Sequence, residues 1–72
     1  MKDMTPADVR DRVERIRKMT EGDFGDPEGG HIEEDQLMED VLRQISKGCI
    51  DPVALARACL EVFELDFARW YA

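Results

Sequence analysis

Three prolines stand in this 72-residue chain, and each follows a residue whose side chain can cap a helix: Thr5-Pro6, Asp26-Pro27 and Asp51-Pro52. Proline is favoured at the first helical position, where its fixed φ suits the helix and its missing N–H would be unpaired anyway. A Thr or Asp before it accepts a hydrogen bond from one of the orphan amides of the first turn. Asp8 and Glu28 add negative charge where the helix dipole favours it. These agreeing start signals, with no strand-like alternation between them, predict an all-α chain of three helices joined by short connections.

The first helix is predicted over about residues 6–20. Val9, Val13, Ile16 and Thr20 form one narrow stripe with Met19 beside it, and charged residues cover the rest. Asp11 with Arg15 and Glu14 with Lys18 are i,i+4 pairs of the helpful sign. So narrow a stripe resembles a two-helix seam. "EGDFGD" at 21–26 breaks the helix, with Gly22 as its C-terminal cap. The second helix is predicted over about 27–47, with Leu37, Val41 and Ile45 on its apolar face, Met38 and Leu42 widening it, and Gly48 stopping it. Gly29 and Gly30 oppose helix in its first turn by roughly 2 kcal/mol relative to two alanines. Firm helix is therefore expected only from His31. If both glycines are helical, replacing them with alanine should stabilise the protein by roughly 1 kcal/mol.

The third helix, about 52–64, is apolar over more than half its girth through Leu55, Ala56, Ala58, Cys59, Leu60, Val62 and Phe63. That pattern predicts the most buried element, so that Leu60→Asp would unfold the protein. A short aromatic turn with Phe67, Trp70 and Tyr71 follows, capped by Asp66. The chain reads as one domain over 1–72. A chain this short buries only about 60% of its unfolded surface and is marginal alone, which favours a homo-oligomer, in the simplest case a homodimer.

Charge narrows the function. Residues 21–40 carry nine acidic and no basic side chains, whereas residues 1–20 carry six basic and four acidic ones. A net charge of −7 argues against direct nucleic-acid binding, which requires a basic surface, and favours basic partners. No run approaches the roughly 20 apolar residues of a membrane span, and "MKDMTPADVR" has no apolar signal core. Cys49 and Cys59 lie in apolar surroundings and read as reduced core residues of a cytoplasmic protein.

Chemical constellations are few. His31 and Glu34, three apart, share a helix face and are the candidates for a metal, as in helical carboxylate sites. Those sites draw ligands from several helices, and the other helices offer none on their apolar faces, so no metal is expected. Cys49 has no base nearby in sequence, and "FGDPEGG" lacks the Lys-Ser/Thr of a phosphate loop. No enzyme activity and no cofactor are expected. Binding remains, either through the aromatic tail, Trp70 and Tyr71, or through the acidic face, Glu33, Glu39 and Asp40, which could imitate DNA phosphates and block a nucleic-acid-binding protein.

The run "DPEGGHIEEDQLMEDVLRQISKGCIDPVALARACLEVFELDFARWYA" resembles a group of short proteins from phages of actinobacteria. They share the Asp-Pro-Glu start, a His followed by Glu-Asp, Asp-Val-Leu-x-x-Ile, a Gly before Asp-Pro, and a terminal Arg-Trp. The likeness covers residues 26–72, and the first helix is only loosely similar. Ala-Ala is usual in the group where this chain has Gly29-Gly30. The resemblance carries no activity, cofactor or catalytic residue. It implies expression in the cytoplasm of a bacterial host and an accessory role achieved by binding a host protein.

Overall fold

The computed structural model describes residues 3–67 and contains α1 (Pro6–Thr20), α2 (Pro27–Lys47) and α3 (Pro52–Leu60), followed by a 3-10 turn, Glu61–Glu64. All three proline signals act as expected. The Thr5 hydroxyl accepts the Asp8 amide at 3.2 Å while the Asp8 carboxylate accepts the Thr5 amide at 2.9 Å, a reciprocal cap. The Asp26 and Asp51 carboxylates accept the amides of Gly29 at 2.9 Å and Ala54 at 3.0 Å. Gly22 and Gly48 end the first two helices at φ of 79° and 85°, a backbone conformation that costs other residues energy.

Cross-links between helices give the topology. Met4 at the start of α1 donates its amide to Gln44 near the end of α2, and Arg12 bonds Asp40. At the opposite end Thr20 meets Gly30. α2 is therefore antiparallel to α1. α3 begins beside residues 3–6, and the chain reaches Phe67 at the Thr20–Gly30 end, so it runs back alongside α1. The result is an up-down-up bundle.

The core consists of Val9, Val13 and Ile16 from α1, Leu37 and Val41 from α2, Leu55, Ala58 and Cys59 from α3, and Val62. The narrow stripe of α1 suffices because α1 lies against both other helices, so a two-helix seam is not its partner. Helix two is formed from Pro27 onward, glycines included. Its first turn holds because the Asp26 cap and Pro27 offset part of the glycine cost.

Two expectations need correction. The third helix is not enclosed on all sides: Leu60 is 60% exposed and Phe63 53% exposed. Its last turn also tightens into 3-10 form. Residues three apart eclipse in that geometry, which places Leu65 over buried Val62 on the core side and leaves Phe63 and Glu64 outside. Among the described residues no helix is long and apolar enough to cross a membrane. Cys49 and Cys59 are both free thiols; Cys59 is buried, and that burial raises its pKa above the ordinary thiol value.

Candidate functional site

The surface feature that sequence reading missed is a groove between α2 and α3. Met38, Val41, Leu42 and Ile45 line it from α2, and Ala56, Cys59, Leu60 and Phe63 line it from the other side. Every lining residue is apolar, and the groove encloses about 230 Å³. Leu42, 66% exposed, stands on one wall opposite Leu60 and Phe63. The groove exists because α1 sits over one side of the α2–α3 pair and, among the described residues, no element covers the other. Met38 and Ile45, both half-buried, bridge from the core to the groove. The widened face of helix two and the broad girth of helix three were the signals for it. Both read equally well as core, because periodicity does not say which apolar stripe finds a neighbour.

Residues three apart on a helix are surface neighbours, so Asp35 stands next to Met38 and Glu39 next to Leu42, along the α2 edge of this groove. Both carboxylates are exposed, Glu39 beside Arg43 at 3.0 Å. A smaller opening of about 200 Å³ lies at the other end of the bundle, between Met4, Pro6, Cys49 and Leu55, with Ile50 exposed at its rim.

The acidic face is less open than its sequence suggests. Glu33 faces Arg15 at 3.6 Å, Glu39 faces Arg43, and Asp40 accepts from Arg12 at 2.8 Å and from Gln36 at 2.9 Å. The Arg12 hydrogen bond holds the Asp40 carboxyl below the usual aspartate range, against the opposing effect of its partial burial. On α1, Arg17 sits between Glu14 and Glu21 and lowers the Glu14 pKa. Trp70 and Tyr71 lie outside the described residues. Phe67, which precedes them, packs half-buried against the core, its ring next to Gly30.

His31 and Glu34 occupy the same face of α2, as their spacing predicts, and both are buried, at 7% and 2% exposure. Every buried side-chain nitrogen and oxygen among the described residues has a hydrogen-bond partner, so these two polar groups are satisfied where they sit. Asp35 joins them from the solvent side, with its Oδ1 at 3.6 Å from His31 Nε2. One ligand atom from each of the three residues can be chosen so that all lie within 4.8 Å of one another. The i,i+3 spacing points only to a pair; the third ligand, a carboxylate, comes from the same helix at i+4 rather than from another helix.

No family of known proteins, characterised protein or solved structure matches the chain.

Proposed function

We propose that this chain is a non-enzymatic binding protein that holds an amphipathic, basic-flanked helix of a protein partner in the α2–α3 groove. The observation that carries this reading is the wholly apolar groove with Leu42, Leu60 and Phe63 each more than half exposed around it. Covering those exposed parts is worth roughly 3–5 kcal/mol before the costs of association, at about 1.5–3 kcal/mol per fully buried large side chain. A helix laid between two helices completes a four-helix layer, a recurrent way of recognising a segment. The net charge of −7, with exposed Asp35 next to the groove's α2 edge, selects basic flanks on the ligand helix. The resemblance to small actinobacterial phage proteins is what supports taking the partner to be a cytoplasmic protein of a bacterial host.

The DNA-mimic reading draws less support, because Glu33, Glu39 and Asp40 each face an arginine of the same chain. A second copy of the chain is the other competing occupant of the groove.

The test is photo-crosslinking in host cells from a benzophenone residue placed at Leu60, compared with one placed at Glu28 on the exposed first turn of α2. The expected result is a host-protein adduct from position 60 only, mapping to an amphipathic basic helix and lost in Leu42→Glu. An adduct between two copies of the chain replaces the host partner with a homodimer. Capture that survives Leu42→Glu but is lost in Glu33→Gln/Glu39→Gln/Asp40→Asn, with a steep salt response, establishes the mimic instead.

A further inference from the structure

We infer that His31, Glu34 and Asp35 form a binding site for one zinc-class divalent ion on α2. Spacings of i, i+3 and i+4 put the three residues on one helix face, in a segment that is already helical from Pro27. The ligand set is therefore assembled by the fold, with no loop to order on binding. The His31 Nε2 to Asp35 Oδ1 separation of 3.6 Å is too long for a hydrogen bond. It is the span expected between two ligands of one metal. With zinc about 2.0–2.1 Å from each atom, the separation subtends about 120°, near the tetrahedral value. Glu34 completes a face of three: one ligand atom from each residue lies within 4.8 Å of the others, and side-chain rotation that brings these spans below about 4 Å seats one ion.

The surroundings suit an ion rather than a solvated charge cluster. His31 and Glu34 are almost wholly buried, which strengthens a metal–ligand interaction, while exposed Asp35 leaves one side open for entry and for a water ligand. Imidazole and carboxylate each offer two donor atoms. Hydrogen bonds from neighbouring groups to a ligating imidazole or carboxylate are the usual way in which a metal's ligands are oriented. Two carboxylates balance a dipositive ion, and the nine acidic residues of 21–40 raise the local cation concentration. The buried imidazole nitrogen sets the selectivity: it suits zinc, nickel or copper and is a poor ligand for magnesium or calcium.

The experiment is calorimetric titration of the EDTA-treated protein with Zn²⁺ and with Mg²⁺, together with a thermal melt in each ion and the absorption spectrum of the Co²⁺ form. The expected result is one Zn²⁺ per chain, a melting temperature raised by several degrees with Zn²⁺ and unmoved by Mg²⁺, and visible Co²⁺ bands without a thiolate charge-transfer band. Asp35→Asn, at an exposed position, keeps the metal-free melting temperature and lowers zinc affinity on the order of tenfold or more. His31→Asn does the same to affinity if it folds. No heat and no melting shift at about 1 mM Zn²⁺, unchanged affinity in Asp35→Asn, or a thiolate band placing the ion on Cys49 or Cys59, overturns the site.

Discussion

Gly30 lies where the end of α1, the start of α2 and the Phe67 ring converge. A Cβ there would land on the Thr20 methyl group, and the Phe67 ring is 3.5 Å away. Thr20 cannot simply turn aside, because its hydroxyl donates to the Ile16 carbonyl at 2.8 Å. At Gly29 the obstacle is instead the Asp26 carboxylate that caps the helix. The gain expected from two alanines therefore does not hold, although both glycines are helical and neither has a positive φ. Gly30→Ala should destabilise by about 1–3 kcal/mol, the usual range for overpacking. Gly29→Ala should be near neutral, as better helix propensity offsets a disturbed cap. Urea unfolding of the two single variants checks both, and equal stabilisation by each would contradict the close approach at Thr20. The glycine pair was legible in the sequence as a weak helix start. Its reason was not, because Thr20 and Phe67 are ten and thirty-seven residues away from Gly30 in the chain.

At the scale of elements, starts and stops were legible because their chemistry is local: a capping side chain, a proline and a left-handed glycine all act within four residues. The side that each helix buries was only half legible. Leu37, Val41 and Leu55 are in the core as their periodicity predicts, yet Leu42 and Leu60 belong to equally regular stripes and face outward. The pairing of α1 with α2 depends partly on Arg12 and Asp40, which lie twenty-eight residues apart. Because Asp40 has a folded pKa below its unfolded value, the unfolded chain takes up the proton first on acidification. Its contribution is present above about pH 4 and is lost as the pH falls through the lower folded value. Asp40→Asn should therefore be less stable than the parent at pH 7 by up to about 1 kcal/mol, the scale of a partly exposed pair. Below pH 4 the gap should narrow. Urea midpoints at the two pH values measure this, and a gap that is constant or widens in acid would show that the pair contributes nothing.

At the largest scale, the described residues form a bundle with one open side. Among the described residues, three helices place α1 over the α2–α3 pair and leave the opposite flank, where Leu42, Leu60 and Phe63 emerge, without a fourth element. That openness explains why an apolar girth that reads as interior in the sequence is half at the surface, and it provides the surface on which the binding proposal rests. The most direct measurement is the thermal melt of Leu60→Asp, followed by far-UV circular dichroism at low micromolar concentration. With Leu60 60% exposed on an open groove, the substitution loses only the packed part of the side chain and sets a carboxylate at the helix C-terminus, which costs on the order of 1–2 kcal/mol. The variant should keep its full helical signal and still melt cooperatively, lower than the parent by roughly 5–15 °C. Loss of the cooperative transition would mean that Leu60 is enclosed in the folded chain and that the groove does not exist.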